Sequence, residues 1–174
     1  CKNVDSIEET TIYYLTDKSE AERQLIYKNL SLYAVTWARE KIIDILNNVY
    51  PDLACYLQPY KFKQALLNQY FDTYKFAKVL NFIPKDFMEL VNTQAEKREF
   101  LYLLPSRTKK TESIDVKNAE VYFIDAMGVE YLGYITQKCR ENNLRAKITI
   151  CHCEIPSITS LNKDFVEVFE KNGA

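Results

Sequence analysis

The sequence predicts an α/β fold in which a mostly helical N-terminal region precedes an incomplete parallel βαβ unit. Through residues 19–104, apolar side chains recur at intervals of three and four, which is the period of an amphipathic helix. From residue 121 the pattern becomes an apolar run, a helical stretch and a second, β-branched run. Strand, helix and strand in this order predict a parallel pair with a right-handed crossover.

The N-terminal region begins with residues 9–15, whose β-branched and aromatic composition favours a short strand. Ser19 followed by Glu22 forms a capping box, which predicts the start of a helix. Helical spacing then continues to Pro51 and predicts either one long helix or two abutting ones. Further helical stretches are predicted at residues 51–57, at residues 61–80, and from Pro84 to about residue 103.

A polar segment at residues 105–118 lacks any hydrophobic period and predicts a linker. The predicted domains are therefore a helical region at residues 1–104, this linker, and the start of an α/β domain at residues 119–174. Arg107, Lys109 and Lys110 lie in the linker and could contact a phosphate-bearing partner. Three cations in such a segment are more often simply solvated, and solvation is the interpretation that we favour.

The overall charge excludes a strong electrostatic attraction to nucleic acid or to anionic lipid. Lysine and arginine number 23 against 24 aspartate and glutamate residues, so that the formal net charge is -1. No apolar run approaches the ~20 residues of a membrane span, and the polar N-terminus does not resemble a signal peptide. We therefore expect a cytoplasmic protein without a membrane partner. The five cysteines have no CxxC spacing and indicate reduced thiols.

Tyrosine is frequent, with 13 residues in the chain. Those that fall in predicted helices include Tyr27, Tyr33, Tyr56, Tyr60, Tyr70 and Tyr74. Such rings could form a surface on which nucleic-acid bases stack. Basic residues do not alternate with them, however, so helix-on-helix packing with the hydroxyls at the edge is the favoured interpretation.

Asp125 ends the first predicted strand of the βαβ unit. The strand occupies residues 121–124, and the crossover helix occupies residues 130–142. In open parallel sheets, ligands bind at the carboxyl edge, where this aspartate is expected. A helix cap or a turn former is an equally common role for an aspartate at this position.

A hydroxyl cluster follows the second predicted strand, which occupies residues 146–153. Pro156 marks the turn, and the hydroxyl residues behind it are Ser157, Thr159 and Ser160. Taken alone, they are ordinary helix-cap residues. Because both strand ends of a βαβ unit lie at the same edge, the cluster is expected to converge with Asp125, and this convergence favours a site.

Cys151, His152 and Cys153 suggest a metal site by composition alone. Successive side chains of a strand point to opposite faces, so His152 would face away from both cysteines. The predicted strand therefore excludes a chelate of all three residues. His152 is the only histidine of the chain, and we expect it to pack beneath the helices.

The string VYFIDAMGVEYLGYI, which starts at Val121, is followed by a strand-like segment and then by IPSITSLNKDF. Together they resemble the start of a PglZ domain, a member of the alkaline phosphatase superfamily associated with bacterial BREX-type phage defence. The helical region that ends in LPSR at residues 104–107 is also similar to one form of these proteins. The resemblance implies that the α/β part is the beginning of an alkaline-phosphatase-like domain.

The superfamily pattern implies roles for two residues. In that pattern the aspartate that ends the first strand binds a metal ion, and a threonine in a P-x-x-T turn is the metal-bound nucleophile. These positions correspond here to Asp125 and Thr159, with Ser157 as the alternative nucleophile. Many members have glycine where this chain has Ala126. The implied cofactor is a pair of divalent cations, expected to be zinc, which would polarise a phosphoryl oxygen and activate the hydroxyl.

The resemblance therefore implies a metal-dependent phosphohydrolase that acts on a phosphate-containing substrate alongside other phage-defence proteins. Superfamily members complete the metal site with aspartates and histidines far downstream, whereas few residues follow Thr159 here. We expect a chain that runs from Cys1 to Ala174 to be a piece of a longer polypeptide and inactive on its own. The alternative is a non-catalytic helical interaction or scaffold module of a defence complex, in which the hydroxyl turn is only structural.

Overall fold

Helices provide the regular secondary structure in the part of the chain that the computed structural model describes, which is residues 9–111, 120, 122, 124, 127–153 and 158. The α-helices of these residues are α1 (Glu20–Leu32), α2 (Arg39–Val49), α3 (Pro51–Leu57), α4 (Ala65–Leu80), α5 (Lys85–Lys97), α6 (Glu99–Leu103), α7 (Arg107–Thr111) and α8 (Leu132–Glu141). Short 3-10 helices occupy Glu9–Tyr14 and Val129–Tyr131. None of the helices described combines the length and the apolar composition needed to cross a bilayer.

The predicted α/β fold with a βαβ unit is wrong, because the described residues form helices and contain no β-strand. Of the first predicted strand, at residues 121–124, only Tyr122 and Ile124 are described, and neither belongs to a strand. The second predicted strand, at residues 146–153, makes only an isolated bridge. The parallel strand pair on which the convergence argument depended is therefore not formed by these residues.

The isolated bridge shows which segment lies beside the second predicted strand. His152 pairs in parallel with Ser106, which follows α6. The His152 N–H donates to the Pro105 carbonyl at 3.0 Å, and the His152 carbonyl accepts from the Arg107 N–H at 3.1 Å. The β-branched segment thus makes two backbone hydrogen bonds next to α7. Two hydrogen bonds are too few to form a β-sheet.

The segment at residues 9–15 is also not a strand, because Glu9–Tyr14 is a 3-10 helix. Ile12 is fully buried and Leu15 packs against the same core, whereas Tyr14 is 84% exposed. In a strand, Ile12 and Tyr14 would share a face. The observed spacing of three matches the 3-10 helix, so the anchoring of Ile12 in a helical core overrides the β propensity of the segment.

The capping box predicted at Ser19 is confirmed at the start of α1. The Ser19 hydroxyl oxygen accepts a hydrogen bond from the Glu22 N–H at 3.2 Å, and the hydroxyl donates to the Glu22 carboxylate at 2.8 Å. This hydroxyl, together with hydrogen bonds from Thr16 and from the Ser19 backbone, lowers the pKa of Glu22. Of the two alternatives predicted up to Pro51, two separate helices are correct, because α1 ends at Leu32 and α2 begins at Arg39.

Helix α4 begins later than predicted. The helical period suggested a start at Lys61, but the helix comprises Ala65–Leu80. The Asn68 side chain explains the delay, because its Oδ1 accepts from the Phe62 N–H at 2.7 Å and its Nδ2 donates to the Phe62 carbonyl at 3.0 Å. Both backbone groups of Phe62 are thereby held in a loop that leads into the helix.

The other helix predictions are confirmed with one break. Helix α3 matches the predicted helix at residues 51–57, and α8 matches the one at residues 130–142. The stretch predicted from Pro84 to residue 103 is divided into α5 and α6 by Arg98, which has a φ of 49°. A left-handed residue cannot continue a right-handed helix, and the chain turns at this point.

The described residues belong to two compact units. Unit 1 contains residues 9–93 and 130–146, and unit 2 contains the other described residues. The division predicted at residues 105–118 remains a prediction. The helix expected in the α/β part nevertheless lies elsewhere, because α8 packs against α3 in unit 1.

Helix α3 is the central element of unit 1. It packs against α2, α4 and α8, and residues 53–57 of this helix are all buried. A helix that is apolar on every side must be surrounded by other elements. The fully buried side chains of the surrounding core include Ile12, Ile26, Leu30, Leu46 and Leu57.

A buried cation joins the C-terminal end of α3 to α4. Lys75 is 2% exposed, and its Nζ donates to the carbonyls of Leu57 at 3.3 Å and Gln58 at 2.5 Å. The last turn of a helix carries partial negative charge, which favours a cation. The Gln58 carbonyl also faces Gly133 of α8, where an added Cβ atom would clash with it. We call Gln58, Lys75 and Gly133 the Gln58 junction, since three helices meet there.

Replacing Gly133 with alanine is expected to lower the free energy of unfolding by about 1–2 kcal/mol. Overpacking costs roughly 1–3 kcal/mol, and a Cβ atom pressed against a backbone carbonyl falls in the upper part of that range, at about 2–3 kcal/mol. The better helix propensity of alanine offsets about 1 kcal/mol. Chemical denaturation measures the change. The control is Arg140→Ala at the exposed end of α8, which is expected to be nearly neutral; equal stability of the two variants would contradict the close approach at Gln58.

Lys75 gives unit 1 a pH dependence whose sign follows from its burial. Desolvation lowers the pKa of Lys75 below its ordinary value of 10.5. Between the lowered pKa and 10.5, the unfolded chain binds more protons at this residue than the folded chain does, so stability rises with pH. Below that window the contribution of Lys75 is constant.

The test compares the parent chain with Lys75→Met by denaturation from about pH 7 to about pH 10. The difference in unfolding free energy is expected to shift towards the parent chain as the pH rises, by at most ~1.4 kcal/mol per pH unit. Tyrosine and cysteine ionisation is common to both chains and cancels. A difference that stays constant over this range would show that the Lys75 pKa is not lowered.

Candidate functional site

The residues predicted to hold metal and nucleophile lie outside the described residues. These are Asp125, Thr159 and the alternative Ser157, together with Ala126 and Ser160. Their roles stay predictions. The donors implied by the resemblance, a carboxylate and a hydroxyl, suit a divalent cation, but they are fewer than the about four ligands of a zinc site. We therefore derive no catalytic step through a metal ion.

The Cys151, His152 and Cys153 segment lies in unit 2 and forms no chelate among its described residues. His152 is half-buried, and its Nδ1 is buried with no hydrogen-bond partner among the described residues. Burial raises the pKa of Cys151, which keeps this thiol protonated. No group of three or more histidine, cysteine, aspartate or glutamate side chains within residues 9–111 and 127–153 is placed to hold a metal ion.

The basic residues of the predicted linker lie on α7. Arg107 is half-buried, and Lys109 and Lys110 are exposed. The interpretation as solvated cations stays a prediction. The alternative, a contact with a phosphate-bearing partner, stays a hypothesis.

Unit 1 contains a cleft whose wall is made largely of tyrosine rings. Its volume is about 390 Å³, and its aromatic residues are Tyr27, Tyr50, Tyr56, Tyr131 and Tyr134. Leu53 and Val79 add apolar surface, and Asp52 and Lys78 add one charge of each sign. An apolar concave site with a few polar groups is the usual form of a small-molecule site. We call this feature the tyrosine cleft.

Three segments of the chain supply these rings. Tyr27 lies on α1, and Tyr50 is both the C-cap of α2 and the N-cap of α3. Tyr56 lies six residues further along on α3, the helix that is central to unit 1. Tyr131 ends the second 3-10 helix, and Tyr134 follows three residues later on α8. Residues three apart lie on one side of a helix, so both rings reach the cleft.

The rings meet at steep angles. Tyr27 and Tyr50 have centroids 6.3 Å apart and planes inclined by 70°, and Tyr56 and Tyr131 are 5.2 Å apart with planes inclined by 55°. In such edge or tilted pairs, at least one ring keeps a face that its partner does not cover. The cleft therefore does not use its aromatic surface entirely for internal stacking.

The Tyr56 hydroxyl is the unusual polar atom of the cleft. Tyr56 is 8% exposed, and its Oη is buried with no hydrogen-bond partner among the described residues. Burial, followed by the charge of Glu130 and the neighbouring phenols, raises the pKa of Tyr56. The hydroxyl is thus neutral and can both donate and accept a hydrogen bond. A buried polar group without a partner is costly, so this hydroxyl lowers the stability of unit 1.

Both charges at the cleft are paired. Lys78 Nζ lies 4.0 Å from the Glu130 carboxylate, and the Asp52 carboxylate forms an ion pair with Lys138 Nζ at 2.9 Å. Hydrogen bonds to Asp52 and then to Glu141 raise the pKa of Lys138, which also lies 5.4 Å from the Tyr134 ring centroid. The cleft consequently presents no uncompensated charge of either sign.

Comparison with known proteins gives no family for this chain. No protein-family model matches it, no curated protein is significantly similar to it, and no solved structure matches its fold. The candidate site therefore rests on the geometry of unit 1.

Sequence reasoning found part of this site. Tyr27 and Tyr56 were predicted to pack between helices with their hydroxyls at the edge. Tyr56 does belong to the core, but its hydroxyl is buried and not at the edge. Tyr50, Tyr131 and Tyr134 were not singled out. The spacing of Tyr131 and Tyr134 within a predicted helix was the available signal, but nothing in the sequence placed them opposite Tyr56.

Replacing Tyr56 with phenylalanine is expected to raise the free energy of unfolding by about 1 kcal/mol. The change removes a buried hydroxyl that has no partner and keeps the ring, so the desolvation cost is removed without a cavity. Denaturant unfolding measures the effect. Tyr14→Phe is the matched control, because Tyr14 is 84% exposed and its hydroxyl is solvated. A loss of stability in Tyr56→Phe alone would mean that the hydroxyl has a partner.

Proposed function

We propose that unit 1 is a non-catalytic helical binding module and that the tyrosine cleft is its binding site. The single observation that carries this function is the cleft itself, with five tyrosine rings among its lining residues. Aromatic rings hold a ligand by stacking. They supply no nucleophile at neutral pH, because burial raises the pKa of Tyr56.

The geometry of the cleft supports binding by a preorganised surface. Its walls come from α1, α3, α4 and α8, which share the core of unit 1. Sites built on packed helices hold their side chains more rigidly than sites on loops do. A ligand would therefore meet the rings already in place and would order few side chains on binding.

The biological setting of the proposed module follows from the resemblance to PglZ proteins. We propose that it works in the cytoplasm of a bacterium, with other proteins of a BREX-like phage-defence system. This is the helical interaction or scaffold module predicted as the alternative function. The support for the setting is the sequence similarity at residues 104–107 and 121–135, and the support for binding is the cleft.

A second candidate function is a metal-dependent phosphohydrolase that uses a pair of divalent cations on a phosphate-containing substrate. The observation that favours it is the pairing of Asp125 with the Pro156 to Thr159 motif in one chain. In this case Asp125 would bind metal, and Thr159 would attack phosphorus. The hypothesis rests on these motif positions alone, because both residues lie outside the described part.

Variants of the two sites discriminate between the functions in the full-length protein, expressed in a host whose phage resistance depends on it. Tyr131→Ala removes a ring of the cleft, and Asp125→Asn with Thr159→Ala removes the proposed metal ligand and nucleophile. A binding module predicts that protection is lost only with Tyr131→Ala. Tyr102→Ala is the control, because Tyr102 is exposed and belongs to unit 2. Plaque counts measure protection, and thermal unfolding checks that each variant folds.

Loss of protection with Asp125→Asn or Thr159→Ala would support the phosphohydrolase and exclude a purely binding role. A direct assay complements the phage test: the present chain, supplied with zinc, magnesium or manganese, is expected to hydrolyse neither phosphomonoesters nor phosphodiesters above the blank. Turnover that disappears in Thr159→Ala would contradict the non-catalytic proposal.

A further inference from the structure

We propose that a second cleft of unit 1 binds a small anion, whose carboxylate or phosphate oxygens accept hydrogen bonds from Lys61 and Arg140. This cleft lies between α8 and residues of the segment 47–61, and we call it the α8 cleft. The inference goes beyond the proposed function, because the described residues that line the α8 cleft are different from those that line the tyrosine cleft. Three observations carry it: the shape of the cleft, the loop on one side of it and its charges.

The α8 cleft has the size of a small-molecule site. Its volume is about 550 Å³, within the about 300–1,000 Å³ of such sites. One wall is a face of α8, since Gly133, Gln137 and Arg140 follow one another at intervals of four and three residues. Gly133 and Cys55 are buried and also line the cleft. The cleft therefore reaches down to the contact between α3 and α8.

The loop on the other side of the cleft is held in place by the rest of unit 1. Phe62 is 5% exposed, stacks on Phe71 with ring centroids 5.5 Å apart, and bonds the Asn68 side chain through both of its backbone groups. Lys61 immediately precedes Phe62, and the Tyr60 ring meets the Phe62 ring edge-on at 4.9 Å. The backbone of Lys61 is thereby fixed beside the cleft, and a ligand would order only its side chain.

Glu141 is an acidic lining residue whose carboxylate is already satisfied. Gln137 Nε2 donates to it at 3.1 Å, and Lys138 Nζ lies 3.2 Å from it. The hydrogen bond from Gln137, followed by the one from Lys138, lowers the pKa of Glu141. Lys138 also pairs with Asp52 at 2.9 Å, so Glu141, Lys138 and Asp52 together carry one negative charge. This group needs no cation from across the cleft.

The two lining cations, in contrast, lack a counterion within the described part of the chain. Lys61 and Arg140 are exposed, and neither makes an ion pair or a side-chain hydrogen bond with a described residue. Exposed cations are often only solvated, but here two of them come from separate segments and line one concave site. Their two positive charges exceed the single negative charge of the Glu141 group.

These cations select a ligand with anionic oxygens. Ammonium and guanidinium groups carry hydrogen-bond donors and no acceptor. A carboxylate or a phosphate supplies the acceptors and the missing charge, and its oxygens match the fork of a guanidinium. The formal net charge of -1 gives no attraction to a polyanionic strand, and two cations suit a single molecule with two or three negative charges. A free small anion therefore fits better than a nucleic acid.

NMR titration of the purified chain with citrate and with inorganic phosphate tests the proposal and separates carboxylate from phosphate. At least one of them is expected to bind at one site at low ionic strength. Its dissociation constant is expected to be on the order of 1 mM, because exposed charge pairs are weak. The amide signals that shift are expected to be those of α8 and of residues 60–61. Added sodium chloride is expected to weaken binding.

Absence of binding by both anions at about 10 mM would overturn the proposal. A short single-stranded oligonucleotide is expected to bind no more tightly than the better of the two anions. Tighter binding of the strand would overturn the small, free form of the ligand.

The location is tested with charge-neutralising variants of the lining residues. Lys61→Gln and Arg140→Gln are each expected to weaken binding about three- to tenfold. Glu141→Gln is expected to strengthen it about two- to threefold, because a negative charge near the anion is removed. The matched control is Lys28→Gln, which changes the net charge equally at an exposed position of α1 and is expected to leave the affinity nearly unchanged.

Thermal unfolding checks that each variant folds, and the absence of partners for Lys61 and Arg140 within the described residues leads us to expect parent-like stability. Equal weakening by Lys28→Gln would show a general attraction by net charge and would overturn the α8 cleft as the site. Unchanged affinity in both Lys61→Gln and Arg140→Gln would overturn it as well. Weaker binding in a folded Glu141→Gln variant would contradict the charge argument.

Discussion

The hydrogen bonds from the buried Lys75 ammonium to the end of α3 are the interaction on which unit 1 depends. Helix α3 is buried along residues 53–57, so its last carbonyls need partners from within the protein. Lys75 bonds the carbonyls of Leu57 and Gln58, at the cost of burying a cation. Gly133 packs on the same Gln58 carbonyl. One carbonyl group therefore fixes both α4 and α8 relative to α3.

The tyrosine cleft follows from that placement. Tyr56 lies shortly before Gln58 on α3, and Tyr131 and Tyr134 flank Gly133. Lys78 lies one turn after Lys75 on α4 and contributes to the same cleft. The helices that meet at Gln58 thus also carry the walls of the cleft, and the distance of 5.2 Å between the Tyr56 and Tyr131 rings depends on the close approach that a glycine allows. The contact at Gln58 therefore affects both the stability of unit 1 and the geometry of the cleft.

The helices could be predicted from the sequence because the spacing of apolar residues identifies the face of each helix that is buried. The prediction failed for the strands because β propensity describes a local preference and pairing is decided by tertiary contacts. Residues 9–15 do not form a strand, because Ile12 is buried in the core as part of a 3-10 helix. The second predicted strand makes only an isolated bridge, between His152 and Ser106. The cleft was beyond prediction for a related reason. Its rings come from three separate segments, and no linear motif shows that Tyr27 and Tyr134 lie at one cavity. The Asp125 and Thr159 hypothesis, in contrast, depends on a motif and remains a prediction.

The unpartnered Tyr56 hydroxyl indicates that the cleft is more than a packing defect. A phenylalanine would fill the same space without the desolvation cost, and the core of unit 1 already accommodates Phe76. Local choices that lower stability without structural gain are expected mainly at functional positions. The ion pairs at the cleft join Lys78 and Asp52 to groups of opposite charge, so the tyrosine rings make up most of the uncharged lining of the cleft.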